Sequence, residues 1–380
     1  MFSSKSYVLT EEQRRMYASE KLENFRWISK LVATYSQHTL TDSDLASENL
    51  YQELAELGQF AEAAYSAIPI DFLLENFATL SQPEYPLEHY NALSDAILVD
   101  SFRGSFADLP VYVVYRPSAG QLLVSVSGTS SMKHALQDLR VLRRPHPSGR
   151  GSVHTGFWEL YQGIKPQVLT AILKGIAIHS PLELILTGHS MGGSIAYLLC
   201  IDLLASDDFP PNIRLKIAVF GSPRTGDASL VEYFRDLVAS FRKKEGEIPF
   251  KEYSVKGYND GVPALPPARF GYRHFCLEPL YTSGGKIYHT PSTESEHALF
   301  RVISNNSSDD IAFLFPKGGH NYYNGRDLEK FTRRITWLDR AMPKDDGWED
   351  RYMAILMKHG KMGSENPQSS KNSRSSLHAA

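Results

Sequence analysis

The segment Leu184 to Ser194, LILTGHSMGGS, restricts the fold of this chain more than any other. It reads as an apolar strand that stops at Gly188-His189-Ser190-Met191-Gly192 and passes straight into the helix-forming run IAYLLCIDLL. A G-x-S-x-G pentapeptide between a strand and a helix is a turn so sharp that the serine takes a strained backbone conformation and holds its hydroxyl clear of the chain. Small residues at 188 and 192 are needed for strand and helix to pass so closely. The next backbone N–H, from Met191, then stands at a helix N-terminus, where negative charge is stabilised. The competing use of these letters is a glycine-rich turn with a capping serine. That use leaves Gly192 and Gly193 unexplained, since glycine inside a helix costs about 1 kcal/mol.

Around this turn, strand and helix patterns alternate to about residue 260. AILVDSF, PVYVVYRP and QLLVSVSGTS read as strands, and VHTGF as a further one. A helix near 157–179, LELILT, the helix after the turn, LKIAVFGSP, a helix near 227–243 and EYSVKGYND follow. Such alternation predicts an α/β fold: a mostly parallel central sheet with helices on both faces. Residues 10–35 predict a helix, opened by a capping box from Thr10 to Gln13 and carrying Leu22, Phe25, Ile28 and Val32 on one face. The polar stretch 36–48 reads as a linker. A helix with Leu54, Leu57, Phe60 and Ala64 on one face follows, and GRDLEKFTRRITWLDRA (325–341) reads as a closing helix. The resulting division is an N-terminal helical extension (1–48), an α/β domain (49–345), and a C-terminal helix with a disordered, apolar-poor tail (346–380).

An activated serine needs a base, and the base an orienting acid. Asp260 closes the strand EYSVKGYN, at the carboxyl edge where open parallel sheets carry their sites. A turn-forming aspartate before glycine is its ordinary alternative. Asp202 falls inside the helix after the turn, Asp227 at the start of the next helix, and Asp207 and Asp208 in a polar loop. Of the histidines beyond Asp260, His320 lies in the glycine-rich loop GGHNYYNGRD, from which an imidazole can reach over the sheet edge; His274, His289, His297, His359 and His378 also follow. His189 reads as structural. A second oxyanion donor fits at the strand end SVSGTS, where Gly128 permits close approach and Thr129 offers an N–H and a hydroxyl. Beyond it, Met132, Ala135, Leu136 and Leu139 share a helical face that reads as a lid over an acyl-binding cleft, or as a plain solvated loop. Arg140, Arg143, Arg144 and Arg150 offer charge to anionic headgroups.

A net charge of −3 gives no electrostatic case for nucleic acid. Two cysteines, Cys200 and Cys276, imply no disulfide framework, which favours a reducing compartment. The N-terminus has no apolar run of signal type, and no stretch approaches the roughly 20 apolar residues of a membrane span. The expectation from these features is a cytoplasmic protein.

Together these segments resemble the class 3 lipase family, the fungal-type α/β-hydrolases. The resemblance rests on VSVSGTSS around Thr129, VHTGF at 153–157, TGHSMGGSIA around Ser190, FGSPRTGD at 220–227, NDGVPALPP with GYRH from 259 to 274, and a loop histidine followed by two tyrosines at His320. It covers roughly residues 50–341. It implies the α/β-hydrolase fold, a Ser190–Asp260–His320 triad, an oxyanion hole of Thr129 and the Met191 N–H, and a lid after Thr129. It implies no metal or cofactor. The chain departs from the family where Ser127 stands in place of a common arginine, where the lid segment lacks tryptophan, and where the first 48 residues match nothing.

The activity implied is hydrolysis of carboxylic esters of lipids, with an acylglycerol-type substrate and transient contact with a lipid droplet or membrane surface. Two alternatives share the scaffold: a short-chain or aryl carboxylesterase, and a lipase-like interaction protein with dispensable catalysis. An acyltransferase with the same triad is a third.

Overall fold

The computed structural model describes residues 9–20, 24–128, 142–207, 209–210, 212–244, 250–303, 315–342 and 347–364. In chain order the first elements are α1 (Glu11–Ala18), α2 (Arg26–Val32), β1 (Tyr35–Leu40), α3 (Glu48–Ala63), α4 (Ile70–Glu75), α5 (Phe77–Leu80), β2 (Ile97–Arg103), β3 (Pro110–Arg116) and β4 (Gln121–Val126). Next come β5 (Arg143–Pro145), β6 (Ser152–His154), α6 (Thr155–His179), β7 (Glu183–His189), α7 (Met191–Ala205), β8 (Arg214–Phe220), β9 (Gly226–Asp227), α8 (Ala228–Lys244) and β10 (Lys251–Gly257). Last are β11 (Tyr272–Arg273), β12 (Leu280–Ser283), β13 (Lys286–His289), β14 (Leu299–Val302), α9 (Leu328–Ala341) and α10 (Trp348–Ser364).

The main sheet has eight strands in the order β13-β12-β10-β8-β7-β4-β3-β2. Its centre, from β4 through β7, β8 and β10 to β12, is parallel, and antiparallel strands close both edges. Parallel strands buried on both faces must be apolar at consecutive positions, because alternate side chains enter different cores. In β7, Leu184 and Leu186 join the core beneath α6, α7 and α8, with Tyr161, Leu199 and Phe234. Ile185, between them, joins the core beneath α3 and α9, with Leu57, Phe60 and Phe331. The parallel sheet with helices on both faces is therefore as expected.

Three sequence expectations need correction. Residues 36–48 are no linker: Tyr35–Leu40 is a strand that pairs in parallel with Leu299–Val302. Leu40 is fully buried there against Tyr281 and Phe300, so the polar composition concealed a strand with one apolar anchor. The helix predicted over 10–35 is two helices. Its capping box is present, with the Gln13 N–H donating to Thr10 Oγ1 and the Thr10 N–H to Gln13 Oε1. Between the helices, however, Phe25 takes a left-handed φ of 54°. Finally, the strand read in VHTGF stops at His154, whose ring caps α6 by accepting the Phe157 N–H at 3.3 Å.

Candidate active site

The turn at Ser190 has the predicted strain. Ser190 sits at φ 60°, ψ −132°, between the last residue of β7 and the first of α7. A side chain in that region costs on the order of 1–3 kcal/mol and persists only where its surroundings enforce it. The Ser190 N–H donates to the Phe220 carbonyl at 2.8 Å, anchoring the turn to β8. A Cβ on Gly188 would lie 2.4 Å from the Gly192 carbonyl carbon, and one on Gly192 would lie 2.1 Å from the Val126 carbonyl oxygen. The two glycines are therefore demanded by backbone approaching backbone. Met191 is the first helical residue, so its N–H has no acceptor within the helix.

Asp260 lies just beyond β10 and is completely buried. Its Oδ1 accepts the Val262 N–H at 2.8 Å, and its Oδ2 accepts His320 Nδ1–H at 2.8 Å and the Tyr323 hydroxyl at 2.6 Å. These three donors satisfy a carboxylate that burial would otherwise penalise. Since the carboxylate fixes the proton on Nδ1, His320 Nε2 carries a free lone pair. That nitrogen is buried and has no hydrogen-bond partner among the described residues. A base oriented by an acid, with its reactive nitrogen unspent, is the arrangement that deprotonates an adjacent hydroxyl.

The loop carrying His320 is tied to the N-terminal segment. The His320 N–H donates to the Asn24 carbonyl at 2.9 Å, and the Phe25 ring meets the imidazole edge-on with centroids 5.6 Å apart. Arg26 donates to the Gly318 carbonyl at 2.8 Å and pairs with Glu20, which also accepts the Tyr322 hydroxyl at 3.2 Å. From the other side, Arg326 makes a two-pronged ion pair with Glu62 of α3, at 2.8 and 2.9 Å.

His189 is structural in the way its place in the turn implies, and its contacts are informative. Its Nε2 lies 2.8 Å from the His320 carbonyl and its Nδ1 lies 2.8 Å from the Tyr65 hydroxyl. Burial, reinforced by neighbouring His320, holds its pKa well below the ordinary histidine value, so the ring is neutral. Tyr65 and Tyr323 were not singled out from sequence. Tyr323 had a signal, the tyrosine pair after the loop histidine; Tyr65 had none, because its partner is 124 residues away.

The other candidates are engaged elsewhere. Asp202 accepts from Tyr161 and pairs with Lys165 at 2.5 Å. Asp227 caps α8 through the Leu230 N–H at 3.0 Å. His274 donates to the Pro263 carbonyl at 2.9 Å, His297 faces Glu294, and His359 stacks on Trp337. Arg143 pairs with Asp227 at 3.6 Å and Arg150 with Asp236 at 2.9 Å, which diminishes the basic patch. Thr129, Met132, Leu136, Leu139 and Arg140 lie outside the described residues, as does His378. Among the described residues no three His, Cys, Asp or Glu side chains gather as a cation site, and no helix is long and apolar enough to cross a membrane.

Residues 123–270 match the class 3 lipase family, a span that includes Ser190 and Asp260. Over that span, which is less than half of the chain, it is similar to the class 3 lipases. A secreted mono- and diacylglycerol lipase of Fusarium solani is 29% identical over 193 residues, which are 50% of this chain and 53% of that protein. The lipase of Rhizomucor miehei is 26% identical over 187 residues, 49% of this chain and 48% of its own length. The chain thus spans about half the length of the curated relatives it matches. The structure of the Rhizomucor miehei lipase propeptide complex superposes with a TM-score of 0.56 at 19% identity, covering 79% of this chain and 92% of that one. This likeness identifies the α/β-hydrolase fold. The expectation of a cytoplasmic protein is overturned by the Fusarium relative, which is named as secreted. That expectation rested on what the sequence lacks, and such absences say little about compartment.

Proposed function

We propose that this chain is a lipase of the class 3 type, a serine hydrolase that cleaves carboxylic esters of lipids of the acylglycerol type. The reading is carried by one observation: the Asp260–His320 pair, with Nε2 unspent, stands at the same sheet edge as the strained Ser190 turn. The name of the Fusarium relative, a mono- and diacylglycerol lipase, supports the substrate class.

In this reading the Ser190 hydroxyl attacks the ester carbonyl while His320 Nε2 takes its proton. Asp260 holds the imidazole and stabilises its cation. The Met191 N–H and Thr129 bind the tetrahedral oxyanion. His320 then returns the proton to the departing alcohol, and a water activated by the same nitrogen releases the fatty acid. Met132, Leu136 and Leu139 form the lid face, residues 49–345 the catalytic unit, and a lipid droplet or membrane surface the place of encounter.

The test is hydrolysis of p-nitrophenyl esters from butyrate to palmitate by wild type and Ser190→Ala. A loss of at least about a thousandfold is expected, in the range of triad deletions. The preferred chain length then separates lipase from esterase. Equal rates for properly folded wild type and variant on every ester, with and without a lipid surface, would exclude the hydrolase reading.

A further inference from the structure

The Tyr65 hydroxyl is wedged into the Ser190 turn from a different part of the chain. Tyr65 stands two residues beyond α3, and its oxygen lies 2.8 Å from His189 Nδ1 and 3.4 Å from the His189 carbonyl. A Cβ added to Gly128 would fall 2.0 Å from that oxygen, so only glycine at 128 leaves room for the hydroxyl. The Ser190 side chain and the Gly128 backbone also face that oxygen, close enough to lower the pKa that burial of Tyr65 raises.

The direction of each bond follows from the acceptors. The His320 carbonyl only accepts, so His189 Nε2 carries the proton that bonds to it. In the neutral ring Nδ1 is then an acceptor, and the Tyr65 O–H is the donor it meets. The Tyr65 oxygen keeps two lone pairs, toward which the Gly128 backbone and the Ser190 side chain face. The hydroxyl therefore stands between Ser190 and the strand end at Gly128, with its single proton turned toward a neutral acceptor.

We infer that Tyr65 is a further donor to the oxyanion, its proton turning from His189 Nδ1 to the negatively charged carbonyl oxygen when Ser190 attacks. This rests on the hydrolase reading above. No covalent bond to the proton breaks: the O–H rotates, and His189 Nδ1 gives up one hydrogen bond. The exchange is favourable because a bond to a charged oxygen is roughly twice as strong as a neutral one. It is specific to the transition state, since the uncharged ester carbonyl competes poorly for that proton. A Phe at 65 would keep the ring's packing and lose only the donor.

The experiment compares wild type, Tyr65→Phe, and protein carrying 3-fluorotyrosine at position 65. It measures kcat and KM on p-nitrophenyl butyrate, and binding of an alkyl trifluoromethyl ketone, which adds to Ser190 as a tetrahedral oxyanion. Tyr65→Phe is expected to lower kcat by about 100- to 1000-fold, as for other oxyanion donors. KM should stay within about threefold and the ketone's affinity should fall in step with kcat. The more acidic fluorophenol should tighten ketone binding, and this arm stands even where Tyr65→Phe does not fold. A kcat within threefold of wild type, or ketone binding indifferent to both substitutions, overturns the inference. Wild type as inactive as Ser190→Ala would instead condemn the hydrolase reading itself.

Discussion

Gly192→Ala sets two physical effects against each other, and the structure decides between them. Position 192 is the second residue of α7, where alanine is favoured over glycine by about 1 kcal/mol. Propensity alone therefore predicts a more stable protein. The new Cβ, however, would sit 2.1 Å from the Val126 carbonyl oxygen and 2.9 Å from the Ser127 carbonyl carbon, closer than the 3.0 Å below which real contacts essentially never fall. Both are backbone atoms of the central sheet, so no side chain can swing aside. The end of β4 and the start of α7 must separate by about 1 Å. Overpacking of this kind costs about 1–3 kcal/mol, which cancels the propensity gain and leaves a net loss of up to about 2 kcal/mol. The same shift moves Ser190 and Met191 relative to the Gly128 strand end, and a 1 Å displacement of catalytic groups costs about 100-fold in rate. Urea unfolding and kcat/KM on p-nitrophenyl butyrate read the two quantities. A variant more stable than wild type and within fivefold of its activity would refute the reasoning.

Other outcomes are expected from the same geometry. Tyr323→Phe removes one of three donors to the buried Asp260 carboxylate, and denaturant titration should show a loss of about 1.5–3 kcal/mol. Arg326→Met leaves the buried Glu62 carboxylate without its ion-pair partner, with the Tyr90 hydroxyl as its remaining side-chain donor; the expected cost, by the same measurement, is about 3–5 kcal/mol. Lys256 is fully buried, and burial with the nearby Arg224 lowers its pKa to about 7. Between that value and its unfolded pKa the unfolded chain binds the extra proton. Its contribution to stability therefore rises as pH climbs from about 7 to 10, by on the order of 2–4 kcal/mol. Stability curves of wild type and Lys256→Met should converge at low pH in slope and diverge above 7; parallel curves would contradict the assignment.

How much of this was legible beforehand depended on the range of the interaction. The Ser190 turn could be read because its constraint is local: strand, two glycines and helix are contiguous. Asp260 could be read from its place at a strand end, and His320 from its glycine-rich loop, since both are consequences of sheet topology. Phe25 misled. It falls on the apolar face of a helical pattern, yet the chain turns left-handed there and sends its ring to His320, almost 300 residues away. Strand β1 was hidden because its partner, β14, pairs with it across some 260 residues. Tyr65 was invisible for the same reason. A tyrosine after an amphipathic helix is unremarked until the fold lays its hydroxyl beside His189.

The hydrogen bond from His320 to Asn24 also has a meaning in time. A growing chain completes the Ser190 turn long before residue 320 exists, so the turn is shaped before the Asp260–His320 pair can form. The Asn24, Phe25 and Arg26 contacts must wait for nearly the whole sequence, and contacts of such separation form slowly. On the proposed mechanism, Ser190 has no oriented base until the segment around Asn24 and the loop around His320 have met.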